Sequence, residues 1–188
     1  MPSVIYSVDI NLKSRQLMQS KVQECINLIR KLPEARQLMK EIEKEGTIRF
    51  SVSEHSLAKQ FKAYWDMDQR VICVSPSSVN SVEELLESMI FEMHNASVSS
   101  EIERLDRLAA QREIDRESYI RAIEYLEFVN SKAASAMVEK GVKLAIFPPT
   151  TCLETYQDFE EHYRYQKIGG HSQWIGRTYD QLIERYPR

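Results

Sequence analysis

Ser88-Met89-Ile90-Phe91-Glu92-Met93-His94-Asn95-Ala96 is the stretch on which the fold turns. It follows Ser81-Val82-Glu83-Glu84, a capping box in which the Ser81 hydroxyl takes a free amide and Glu84 reaches back, so a helix starts there. Val82, Leu85, Leu86, Met89, Ile90, Met93 and Ala96 then recur on one face at about 100° per residue. Phe91 and Asn95 point to the opposite side. Beyond Ala96 that opposite side becomes the apolar one, through Val98, Ile102, Leu105 and Ala109. The pattern predicts either a bend near Ser97–Ser100 or a sandwiched helix that buries different faces along its length. In both cases Phe91 and Asn95 face a later helix.

That later helix is expected from about Asp115 to Lys140, with Gly141 as its C-cap. Its stripe is Tyr119, Ile120, Ile123, Leu126, Ala133, Ala134 and Met137, and two polar residues, Glu127 and Asn130, sit inside it. Asn95, Glu127 and Asn130 are therefore expected as a polar cluster between the two helices, since a glutamate inside an apolar stripe needs partners. Upstream, Leu17 to Ile29 recurs at helical spacing, Pro33 breaks that run or opens a second helix, and Gly46 is a C-cap candidate. Thr47-Ile48-Arg49-Phe50-Ser51-Val52 alternates as a half-buried strand should, and Arg70-Val71-Ile72-Cys73-Val74 is a second β-rich run. The segment from His55 to Asp68 reads as a third strand or a hairpin arm. After Phe147-Pro148-Pro149, Thr151-x-x-Glu154 is another capping box, predicting helices over about 151–166 and 172–186 separated by Gly169-Gly170.

The fold class expected is thus α+β and mostly helical. A small two- or three-stranded sheet packs on a long central helix, because so few strands need helices on one face. A chain of 188 residues fits a single domain, 1–188, here made of N-terminal helices (1–46), a core (47–141) and an aromatic-rich C-terminal helical hairpin (142–188). A net charge of -3 argues against nucleic acid as a partner, because phosphate binding requires a clustered basic surface. Cys25, Cys73 and Cys152 are few and widely spaced, which suits a reducing compartment. With no long apolar segment, neither a signal peptide nor a membrane span is expected, and the chain reads as cytoplasmic.

The segment Phe91-Glu92-Met93-His94-Asn95-Ala96 resembles the zinc-binding helix of the zincin metallopeptidases, in which His-Glu-x-x-His-Ala sets two imidazoles one turn apart. Glu92 and Ala96 match, whereas Phe91 and Asn95 stand where both histidines belong. The strand ending at Ser75-Pro76 and the inward glutamates of the later helix extend the likeness over about Thr47 to Gly141. In the glutamate-ligand branch of that family a later helix supplies the third ligand, a role that falls here to Glu127 or Glu124. The resemblance implies a metallopeptidase-like fold that has lost its metal. Glu92 is then a relic general base, and no zinc or other cofactor is expected.

Three function classes follow. The first is a non-catalytic, zincin-like pseudoenzyme that binds a protein, with Tyr156, Phe159, Tyr163, Trp174 and Tyr179 of the C-terminal hairpin as an aromatic contact surface. The second is a hydrolase with a non-standard metal or carboxylate site built from Glu92, His94 and Glu127. The third is a structural subunit that forms homo-oligomers through its C-terminal helices. The ordinary alternatives are a helical ion pair for Glu92, a solvated or hydrogen-bonded His94, and packing of the hairpin for the aromatic residues. His162 has no metal-ligand spacing, and His171 reads as the start of the last helix.

Overall fold

The computed structural model describes residues 5–76 and 81–185. Among these, the chain runs α1 (Ile5–Lys31), α2 (Pro33–Glu43), β1 (Arg49–Val52), α3 (Ser56–Phe61), β2 (Ala63–Asp66), β3 (Val71–Val74), α4 (Val82–Ser97), α5 (Ser99–Ala110), α6 (Arg116–Lys143), α7 (Phe159–Gly169) and α8 (His171–Arg185). The fold is α+β and mostly helical, as the periodicities require. The three strands form one mixed sheet in the order β1-β3-β2. Strand β3 pairs parallel with β1 (Arg49 opposite Val71) and antiparallel with β2 (Ala63 opposite Val74). All four residues of β3 are buried, which explains its unbroken Val-Ile-Cys-Val run.

Local chemistry sets the boundaries. Pro33 opens α2 at a position where its missing N–H costs nothing, and the Arg36 guanidinium donates to the carbonyl of Arg30 (2.7 Å) at the end of α1. Arg70 closes α2 in the same way, donating to the carbonyl of Ile42 at 2.6 Å. Ser81 caps α4 as its sequence demands, accepting from the Glu84 amide at 3.1 Å. The stripe switch at Ser97–Ser100 is a break at Val98. There Ser99 Oγ donates to the carbonyl of Ala96 (2.8 Å) and accepts from the Trp65 indole (2.9 Å), which fixes the start of α5.

The third strand expected within His55–Asp68 is β2, which pairs antiparallel with β3, and the short helix α3 precedes it. Three expectations need correction. Gly46 lies beyond the Lys44 cap of α2, although its φ of 136° uses glycine's freedom. Gly141 is inside α6, which continues to Lys143 and is capped by Leu144. Gly141 is small because the Phe147 ring packs onto its backbone, and a Cβ there would lie 2.1 Å from that ring. Thr151-x-x-Glu154 starts no helix. Its backbone is held by side chains of other elements: Glu87 accepts from the Cys152 amide (3.0 Å) and Ser135 donates to the Leu153 carbonyl (2.8 Å). Helix α7 instead starts after Asp158, which accepts from the Glu161 amide at 2.9 Å. The expected end of the last helix at Tyr186 lies outside the described residues.

Two apolar cores result. The first joins α1, α2, the sheet, the early stripe of α4 and the C-terminal half of α6, around Ile29, Leu85, Met89, Met93 and Val138. The second joins α5, the N-terminal half of α6, α7 and α8, around Leu105, Tyr119, Ile120, Tyr163, Ile175 and Tyr179. Helix α6 belongs to both. No helix among the described residues is long and apolar enough to cross a membrane.

Candidate functional site

Where the two cores meet they do not close. A cavity of about 590 Å³ lies between them, walled by Phe61, Trp65, Phe91, Tyr119, Tyr156 and Trp174 and carrying Glu92, Asn95, Glu127, His162 and His171. That size and lining, mostly apolar with a few convergent polar groups, are those of a small-molecule site. Its position follows from the sequence. The stripe of α4 changes sides at Val98; on its second face Asn95 turns toward α6, while Phe91 lines the cavity and still packs against the first core.

On α4, Glu92 and Asn95 are spaced i, i+3 and share one face. Asn130 donates to Asn95 Oδ1 at 2.9 Å, and Asn95 donates to Glu92 Oε2 at 3.1 Å, both bonds buried. Of the expected Asn95, Glu127 and Asn130, the two asparagines are joined across α4 and α6, and Glu92 extends the chain to Asn130–Asn95–Glu92. Glu127 shares the cavity but is bonded to neither asparagine among the described residues. Burial raises the Glu92 carboxyl to about 7, reinforced by the Glu127 charge and only partly relieved by Asn95 and the Trp65 backbone.

On α6, Glu124 and Glu127 are likewise one turn apart. Glu124 is completely buried. Its oxygens receive the Ser172 hydroxyl at 2.7 Å and face His162 Nε2 and His171 Nδ1, each at 3.2 Å. Burial works against the charge, yet the bonds from His162 and His171 outweigh it and hold Glu124 well below the ordinary carboxylate range. An ionised Glu124 only accepts, so the nitrogens that face it carry the protons. Gly170 makes this geometry possible. Its φ of 87° ends α7 in a left-handed turn and lets α8 begin at once, bringing His162 of α7 and His171-Ser172 of α8 onto the same carboxylate.

His171 Nε2 lies 3.6 Å from Glu127 Oε1. Burial and the start of a helix both disfavour a positive imidazole. The carboxylates of Glu127, Glu124 and Glu92 prevail over that burial and push His171 up to about 9. Burial also raises Glu127, against the lowering effect of His171. The Trp174 ring stacks on the His171 imidazole at 5.8 Å between centroids, and Phe61 meets it edge-on at 5.2 Å.

Of the residues singled out in the sequence, Phe91, Glu92, Asn95 and Glu127 all line the cavity. Glu124 stands directly behind it. His94 is elsewhere: its Nε2 is buried without a partner among the described residues, and burial lowers its pKa to about 4, so it carries no charge at neutral pH. The aromatic residues assigned to a partner surface divide differently. Tyr163 and Tyr179 are buried in the second core and Phe159 packs against it, while Tyr156 and Trp174 form cavity wall. His162, His171 and Ser172 gave no spacing signal. A signal was nevertheless present, since Gly169-Gly170-His171-Ser172 puts a hydrogen-bonding pair at a helix start right after a forced turn.

No protein-family model, no curated protein and no solved structure matches the chain.

Proposed function

We propose that the chain acts at this cavity as a hydrolase on a small organic molecule, with Glu92 as the group that moves the proton. The observation that carries the reading is the convergence of Glu92, Glu127 and His171, from three different helices, on one aromatic-walled cavity. A carboxyl near neutrality is suited both to accept a proton from attacking water and to return it to a leaving group. The His171 imidazolium, oriented by Glu124, supplies positive charge where an oxyanion would develop. Phe61, Trp65 and Trp174 provide apolar surface for the substrate body.

The test compares wild type with Glu92→Gln over chromogenic esters, amides, phosphoesters and glycosides. Turnover of at least one class, reduced by about 10²–10⁴ in the variant at unchanged fold, supports the reading. Equal turnover in both proteins contradicts it.

A second reading rests on a different surface. Tyr125, Val129, Tyr165 and Ile168 are 52%, 45%, 49% and 77% exposed. These exposed apolar side chains of α6 and α7 favour a non-catalytic protein-binding role, the pseudoenzyme expected from the sequence, or a subunit that pairs with its own copy. Its test is solution mass and partner binding after Tyr125→Ser with Ile168→Ser: loss of association, with no turnover in either protein, favours this reading over the hydrolase.

A further inference from the structure

We propose that Glu127 and His171, backed by Glu124, hold a divalent first-row metal ion on the wall of the cavity. The sequence expectation of a metal-free chain rested on Phe91 and Asn95 standing where two histidines belong, with Glu127 or Glu124 as the third ligand. The structure sets His171, not counted there, beside those glutamates. Ligand atoms of Glu124, Glu127 and His171 all fall within 4.8 Å of one another. The Glu124 oxygens already bond His162, His171 and Ser172, so Glu127 and His171 are the pair left to meet the ion, with water completing its shell. Two atoms bound about 2.1 Å from a tetrahedral ion sit roughly 3.4 Å apart. The His171 Nε2 to Glu127 Oε1 separation of 3.6 Å is close to that, and too long for a good hydrogen bond.

The second shell is already in place. Glu124 Oε1 faces His171 Nδ1 at 3.2 Å, the carboxylate–histidine arrangement that orients a metal-binding imidazole. The ion takes the place of the Nε2 proton of the metal-free imidazolium, which is released on binding. Ser172 (2.7 Å) and His162 (3.2 Å) hold Glu124 in turn, so the support extends into α7 and α8. His162 lines the same cavity and is 3% exposed; its Nε2 faces Glu124, and its Nδ1 is buried without a hydrogen-bond partner among the described residues. His162 lies outside the 4.8 Å group and is not counted as a ligand. Imidazole with carboxylate suits zinc, iron or manganese better than calcium or magnesium, which favour all-oxygen sites.

The inference builds on the cavity as the working site, but metal binding is read without turnover, so the two fail separately. Metal-stripped full-length chain is titrated with Zn²⁺ by calorimetry and with Mn²⁺ by NMR. One ion per chain is expected. Glu127→Gln and His171→Ala each weaken it at least about tenfold, and Glu124→Gln by roughly 10–100-fold. Glu127 is part-exposed, so its variant keeps the test open if Glu124→Gln does not fold. Mn²⁺ should broaden the indole signal of Trp174, which stacks on His171, ahead of surface residues. Absence of saturable binding overturns the proposal. So does binding that is indifferent to Glu127→Gln and His171→Ala, or broadening centred on the exposed acidic groups. Turnover that persists in metal-stripped protein would leave the hydrolase reading standing and remove the metal from it.

Discussion

Replacing Glu124 with alanine removes an acceptor shared by three side chains in the second core: Ser172 Oγ at 2.7 Å, and His162 Nε2 and His171 Nδ1 at 3.2 Å. Each buried donor left unpaired costs about 1–3 kcal/mol. The full sum is not expected, because the desolvation of Glu124 itself is recovered. In addition, His171 is 13% exposed and faces Glu127 as an alternative partner. Breaking a buried charged cluster from one side typically costs about 3–5 kcal/mol, and that is the expected loss here. With a urea m-value of roughly 2 kcal/mol/M, the unfolding midpoint should fall by about 2 M. Because the folded-state pKa of Glu124 is depressed, its contribution is present above the ordinary value of 4.5 and is lost as pH falls below it. The gap between wild type and variant should therefore narrow in acid. Urea unfolding followed by tryptophan fluorescence at pH 7 and pH 3.5 measures both quantities. A loss below about 1 kcal/mol at pH 7 would mean that α6, α7 and α8 are not joined through this carboxylate.

Other substitutions test neighbouring parts of the account. Glu92 is raised from 4.5 to about 7, so between those values the folded state holds a proton that the unfolded state does not, and stability falls as pH rises. Glu92→Gln should gain up to about 3 kcal/mol on wild type between pH 5 and pH 8 in urea unfolding, and a pH-independent difference would refute the raised carboxyl. Gly141→Ala sets a methyl against the Phe147 ring and should lose about 1–2 kcal/mol despite alanine's better helix propensity, whereas a stabilised variant would contradict that packing. Phe91 is half-buried and packs against the first core, so Phe91→Ala should cost about 1–2 kcal/mol, less than the roughly 3 kcal/mol of a fully buried ring.

The helices that carry the site were legible because periodicity reports burial directly. The two stripes of α4 left open a bend near Ser97–Ser100 or a sandwiched helix, and the structure has a break at Val98. Asn95 meets Asn130 of α6, while Phe91 packs against the first core. Thr151-x-x-Glu154 misled because a capping box describes local hydrogen bonds only, and Glu87 and Ser135 reach that backbone from distant elements. Gly141 misled for a related reason, since a glycine near a helix end serves equally to stop a helix or to admit a ring. Glu127 drew attention inside its stripe, yet Glu124 is the deeper carboxylate. The difference lies in α7 and α8, which bring His162, His171 and Ser172 from 38 to 48 residues away in sequence to satisfy it. A charge buried by long-range partners leaves little trace in local spacing.

Both tryptophans of the chain, Trp65 and Trp174, line the cavity, so their two indole signals report directly on whether it is occupied. The decisive measurement is a two-dimensional NMR titration of labelled full-length protein against a panel of small organic molecules. If the cavity is where the chain acts, a saturating ligand shifts both indole signals together, and Glu92→Gln or Glu127→Gln weakens its binding at unchanged fold. Saturable ligands that leave both indoles unmoved while shifting the exposed face around Tyr125 and Tyr165 would contradict the account and place the function on that surface.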